Sequence, residues 1–181
     1  AVGIFDQSSF AKYELMGKDA ARALDYICAN HVTKAPGRLT YTQLLNSRGG
    51  IEADLTVARL AEDHFYIVTG TGFRTHDFGW IADHLPPGDV TLTDITEDWG
   101  TLSLMGPKAR DVLARVASAD VSNGGFPFGA VREIEIAGCK LRALRVTYVG
   151  ELGWELHVPI AAIGEVFDAL MAAGGVMPVG Y

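Results

Sequence analysis

Only two cysteines occur in the sequence, Cys28 in a helix-like run and Cys139 in the turn AGCK, with neither a metal-site spacing nor a disulfide framework. Both read as unpaired thiols of a reducing compartment. No apolar run approaches the roughly 20 residues needed to cross a bilayer. The opening AVGIFDQSSF has neither the basic segment nor the apolar core of a signal peptide, so no membrane partner is expected. Lysine and arginine total 15 against 22 aspartates and glutamates, a formal charge of −7, and form no cluster, which excludes the basic face that duplex nucleic acid requires. The five histidines, His31, His64, His76, His84 and His157, show no metal-site spacing, and no metal is assigned. His76 and His84, two helical turns apart, read as decoration of a partly exposed helix. There is no G-x-S-x-G elbow and no Cys-His motif. There is also no G-x-G-x-x-G between a strand and a helix, so FAD, if it serves the protein, is expected only in a separate domain.

What is present is a core. With 49% apolar residues in 181, the chain can form one sizeable domain or two small interleaved ones. The runs VGIFD and AKYELMG read as strands, and Ala20, Ala23, Leu24, Ile27 and Cys28 recur at helical offsets. A loop, a short strand and a turn follow in APGRLTYTQLLNSRGG. From Ile51 the pattern is strand, strand, helix through Trp80 and Ile81, strand, strand, and a helix begun by Gly106 and Pro107 whose stripe is Ala109, Val112, Leu113 and Val116. Three strand-like runs, AVREIEIAG, KLRALRVTYVG and GWELHVP, precede a final helix with Ile163, Val166, Phe167, Leu170 and Met171 on one face, ending at Gly174. Short turns between strands without regular strand-helix-strand alternation predict an α+β class with antiparallel sheets and packed helices. The expected division is into two interleaved lobes, residues 1–46 with 118–181 and residues 47–117. No internal repeat is read. Both ends read as cropped, GGVMPVGY following a helix and a turn with no closing element.

Two stretches could carry chemistry. In YVGELGWELHVP a turn over Gly150 to Gly153 would set Tyr148 opposite Glu155, on one face of a hairpin, with Trp154 and Leu156 turned into the core. A phenol and a carboxylate so placed could grip a flat heterocycle through its paired N–H groups. The hairpin alone equally fits a Glu155 satisfied by Arg145 or by solvent. In NSRGGIEADLTVARL the glycine pair turns into a strand with Ile51, Ala53, Leu55 and Val57 on one face and Glu52, Asp54 and Thr56 on the other. Taken by itself, Asp54 also fits a solvent-facing residue of a half-wet sheet.

Together FDQSSFAKYELMG, LLNSRGGIEADLTVARLAEDHFYIVTG, LMGPKARDVLARV and YVGELGWELHVP resemble, in order and along nearly the whole chain, the folate-dependent aminomethyltransferase family typified by the glycine-cleavage T-protein. The wording is similar in particular to the C-terminal folate portions of sarcosine and dimethylglycine dehydrogenases. The resemblance implies the aminomethyltransferase folate-binding fold and tetrahydrofolate as ligand. It implies the pterin-binding pair at Tyr148 and Glu155, the catalytic aspartate at Asp54, and a pocket walled by Thr56 and the backbone from Val68 to Gly70. Gly70 stands where glycine-cleavage enzymes carry an asparagine, which favours the dehydrogenase type. The implied activity is capture of an iminium carbon from an N-methyl amine as 5,10-methylenetetrahydrofolate, in the cytoplasm, or in the mitochondrial matrix of a eukaryote. A stand-alone T-protein and a non-catalytic folate-binding relative are the alternatives.

Overall fold

The structure, a computed structural model, describes residues 1–180. In chain order the elements are β1 (Val2–Asp6), β2 (Ala11–Met16), α1 (Ala20–Ile27), β3 (Arg38–Leu45), β4 (Ile51–Ala61), β5 (His64–Thr69), α2 (Arg74–His84) and β6 (Thr91–Asp94). Then follow β7 (Trp99–Met105), α3 (Ala109–Val116), β8 (Val131–Ile136), β9 (Cys139–Leu144), β10 (Gly153–Pro159), α4 (Ile163–Ala172) and β11 (Val176–Pro178). The chain divides into two compact units, one made of Ala1–Ser9 with the chain from Glu97 onward, the other of Phe10–Thr96. This differs from the expected lobes of 1–46 with 118–181 and 47–117. Residues on both sides of position 46 belong to one sheet, because β3 and β4 are consecutive strands joined by a short turn, and β7 belongs with β10 rather than with β6.

The unit holding both chain ends is built on a six-stranded sheet in the order β11-β1-β7-β10-β9-β8. Period-two alternation turns Ile4, Leu102, Leu104, Trp154, Leu156 and Val158 to one face, where α3 supplies Ala109, Val112 and Leu113, and α4 supplies Val166 and Leu170. Phe126 meets the Trp154 ring edge-on at 6.0 Å. Two expectations are corrected here. Val176–Pro178 does close the unit, pairing in parallel with β1, a contact between remote segments that local pattern does not signal. Strand β9 stops at Leu144 instead of running to Val149, because the Val146 N–H turns back to the Leu144 carbonyl at 3.0 Å, a γ-turn that ends the ladder.

The other unit has a five-stranded sheet in the order β3-β4-β5-β2-β6. Tyr13, Leu15, Leu55, Val57, Phe65 and Ile67 face a core closed by Ala20, Leu24 and Ile27 of α1 and Ile81 of α2. Ile51, expected on the buried face, is 66% exposed, since the β3–β4 register shifts between Leu44 and Leu45. A local repeat missed in the sequence is plain in the backbone. Leu15-Met16-Gly17 and Leu104-Met105-Gly106 each end a strand and start a helix, with Gly17 at φ 131° and Gly106 at φ 138°. A Cβ at Gly17 would strike the Asp89 carbonyl, and one at Gly106 the Ala1 carbonyl, so both positions require glycine.

Candidate functional site

In the unit holding the chain ends, the sheet face opposite the core carries polar residues that are nonetheless buried. Ser103 of β7 stands in register with Phe5 of β1 on one side and Glu155 of β10 on the other. Opposed side chains share a face, with Cβ atoms roughly 4.5 to 5.5 Å apart. The Ser103 hydroxyl donates to Oε1 of Gln7, whose own N–H donates to the Thr101 carbonyl at 2.9 Å. Gln7 is 5% exposed and Ser103 1%. Phe5, Gln7, Ser103, Met105, Tyr148 and Val149 enclose a cavity of about 360 Å³, the lower part of the size range of small-molecule sites, with apolar walls and few polar groups.

Tyr148 and Glu155 do not face each other across a hairpin. Glu155 pairs with Leu144 and Ser103, and the segment between Leu144 and Gly153 is an irregular loop from which Tyr148, 77% exposed, borders the cavity. Trp154 and Leu156 do turn into the core, as the alternation predicts. Glu155 instead lies beside His157, two residues along the strand and fully buried. Its Nε2 lies 3.5 Å from Glu155 Oε2, and its Nδ1 3.2 Å from Thr101 Oγ1. Arg145, the other partner the sequence allowed, donates instead to the Phe126 carbonyl and to Asn123 Oδ1, with its guanidinium over the Trp154 ring.

In the other unit Asp54 lies on the exposed face of β4, as expected, and accepts a 2.6 Å hydrogen bond from the Tyr41 hydroxyl. That bond to a carboxylate holds the phenol proton and raises the Tyr41 pKa. Thr56 is the register partner of Val68, and Gly70 follows the end of β5, so Asp54, Thr56, Val68 and Gly70 gather on adjoining strands. Beside them the Thr69 hydroxyl donates to Asp77 Oδ2 at 2.5 Å and reaches the Asp54 carbonyl at 3.4 Å. His76 bridges Asp77 Oδ1, 2.9 Å from its Nδ1, and Glu52 Oε2, 3.7 Å from its Nε2, while Asn46 donates to Glu52 Oε1 at 2.7 Å. His76 is half-exposed on α2, as the helical spacing predicts, and also lies against these carboxylates.

Sequence reasoning missed Gln7, Ser103, His157, Tyr41 and Asp77. Only Tyr41 left a signal: in LTYTQ it takes the alternating position opposite Thr40 and Thr42, which are buried. Both cysteines are free thiols, and burial pushes that of Cys28 up to about 12, which makes it an inert packed group. Among the described residues no cluster of histidine, cysteine and acidic side chains could hold a metal, and no helix is long and apolar enough to cross a membrane.

Known proteins resemble both the sequence and the fold. The chain is 40% identical to human mitochondrial sarcosine dehydrogenase over 199 residues, covering 100% of this chain and 22% of that protein. It is 34% identical to an aminomethyltransferase of Listeria monocytogenes serotype 4a, covering 98% of this chain and 49% of that protein. The chain therefore spans less than half the length of these relatives. Among solved structures, the glycine cleavage system aminomethyltransferase T from Bartonella henselae superimposes with a TM-score of 0.86 at 27% identity, over 98% of this chain and 47% of that one. The heterotetrameric sarcosine oxidase from Corynebacterium sp. U-96 shares the fold, with a TM-score of 0.76 at 18% identity, over 96% of this chain and 83% of that one. The α+β architecture is thus the aminomethyltransferase fold. With the family model for the GCVT N-terminal domain matched along residues 1–181, the chain belongs to that family and is related to sarcosine dehydrogenase.

Proposed function

We propose that this chain binds tetrahydrofolate and serves one-carbon transfer within a sarcosine or dimethylglycine dehydrogenase-like protein. One observation carries the reading: an apolar cavity bordered by Tyr148, with the polar pair Gln7 and Ser103 in its wall and Glu155 in register beside Ser103. A flat bicyclic ring needs such walls, and its N–H groups need such a carboxylate. When bound, tetrahydrofolate supplies the two nitrogens, N5 and N10, between which the carbon ends. The domain would receive the iminium carbon of an N-methyl amine oxidised by FAD in another part of the protein. It would release 5,10-methylenetetrahydrofolate and the demethylated amine. Asp54 fits the cationic side of this chemistry. It is an exposed carboxylate with one oxygen held by Tyr41, so the other is free to stabilise positive charge on an amine or iminium carbon.

The higher identity to sarcosine dehydrogenase than to the Listeria aminomethyltransferase favours an amine-oxidising parent over a stand-alone transferase. The mitochondrial relatives support a matrix location in a eukaryotic source. The test is Asp54→Asn in the full-length protein, with amine oxidation and methylenetetrahydrofolate formation measured separately. Oxidation should persist while transfer falls by at least about 100-fold, the loss expected when a charge-stabilising group is removed. Equal loss of both would refute the role of Asp54.

A further inference from the structure

Resting on the folate reading, we infer that Gln7 is a specificity-determining residue that reads the 4-oxo edge of the ligand's heterocycle as a hydrogen-bond donor. Gln7 lines the cavity yet is 5% exposed, and its backbone is fixed by the 2.9 Å bond to the Thr101 carbonyl. The segment is held again one residue on, where Ser8 Oγ accepts from the Thr101 N–H at 3.1 Å and the Ser8 N–H donates to Asp6 Oδ1 at 2.9 Å. The backbone that carries the side chain is therefore held in place. A carboxamide offers one acceptor and one donor end, and which of them faces a ligand depends on what holds the other. Here the Ser103 hydroxyl, 1% exposed, donates to Gln7 Oε1. That bond anchors the oxygen end of the carboxamide at Ser103 and leaves the amide nitrogen, a donor, as the end offered to the cavity.

Across the same row Glu155 is the register partner of Ser103 and is an acceptor when ionised. A donor at Gln7 and an acceptor at Glu155, linked through Ser103, are complementary to a ring edge with a carbonyl next to N–H groups. The 2-amino-4-oxo edge of a pterin has this order. A 2,4-diamino ring does not, because its 4-amino group would set a donor against the donor of Gln7 and leave a buried polar group unmatched, a mismatch that sites of this kind reject strongly. Phe5, Met105 and Val149 contribute no competing polar group to the cavity.

The experiment measures binding and needs no turnover. Tetrahydrofolate and its 4-amino counterpart, tetrahydroaminopterin, are titrated calorimetrically into the full-length protein and into Gln7→Glu, Gln7→Leu and Glu155→Ala variants. The parent should prefer the 4-oxo ligand by at least about 10-fold. Gln7→Glu, which turns the donor into an acceptor, should abolish or invert the preference, and Gln7→Leu should shrink it by weakening the 4-oxo ligand alone. The ratio of two affinities in one variant is insensitive to partial misfolding. If tetrahydrofolate binds and Glu155→Ala weakens it while the ratio is the same in all Gln7 variants, Gln7 is only structural and the inference is wrong. If the parent binds neither ligand, the folate reading itself fails, and this inference with it.

Discussion

Tyr41 and Asp54 are joined phenol to carboxylate at 2.6 Å, although the strand register sets Tyr41 opposite Thr56 and Asp54 opposite Gln43. The bond is diagonal across the β3–β4 ladder and lies on an exposed face. It orients the carboxylate without contributing a core contact. Tyr41→Phe should leave the unfolding free energy within about 0.5 kcal/mol of the parent. It should slow one-carbon transfer by roughly 2- to 12-fold, the kinetic equivalent of one ordinary hydrogen bond. Denaturant titration and single-turnover transfer kinetics on the same variant check the two halves.

Glu155 and Arg145 should separate cleanly. Glu155→Ala is expected to weaken tetrahydrofolate binding by about 1.5 to 3 kcal/mol, the worth of a hydrogen bond to a charged group, beyond any stability lost at the buried His157 beside it. Arg145→Ala removes a buried residue whose guanidinium pins the Phe126 carbonyl and Asn123, so its effect should appear chiefly as a lower melting temperature. If Arg145→Ala reduced folate affinity as strongly as Glu155→Ala at unchanged stability, the assignment of Glu155 to the ligand and Arg145 to the fold would be reversed.

Acid should weaken the Phe10–Thr96 unit through Asp94. Burial opposes ionisation of this carboxylate, but hydrogen bonds from Arg74, at 2.7 Å, and from Thr96 outweigh it and hold its pKa below the usual range. A carboxylate depressed in the fold adds stability above its unfolded pKa, about 3.9, and that stability is lost as pH falls through the lower folded value. Melting temperatures should therefore fall between about pH 5 and pH 2, and less steeply in Asp94→Asn than in the parent. The difference at neutral pH should stay below about 1 kcal/mol, because Arg74 is 37% exposed.

Glycine at position 106 should be close to irreplaceable. Gly106→Ala combines a φ of 138° with a collision against the Ala1 carbonyl, and should cost at least about 1–3 kcal/mol. Gly49, at φ 77° with nothing near its missing Cβ, provides the control, since Gly49→Ala should cost about 1 kcal/mol. Equal midpoints of the two variants in urea would show that the close approach at Gly106 relaxes at no cost.

Local periodicity by itself determined most of the elements. The stripe of Ala109, Val112 and Leu113 and the alternation of Trp154, Leu156 and Val158 are solved within one turn or one strand, so the sequence specifies which residues face the core. The wet face of β4 with Asp54 follows from the same alternation. What only the tertiary structure decided depends on which segments meet. Nothing near Val176 announces that it pairs with Val2, and nothing near Gln7 announces a bond from Ser103, 96 residues away. The hairpin drawn around Gly150 failed for this reason. Arg145, held by Asn123 and the Phe126 carbonyl, and the γ-turn at Val146 end β9 early, so Glu155 takes Leu144 and Ser103 as neighbours in place of Tyr148. Side-chain periodicity is set by the backbone of each segment, whereas register and cavity walls are set by long-range packing and hydrogen bonds, whose partners local sequence does not name.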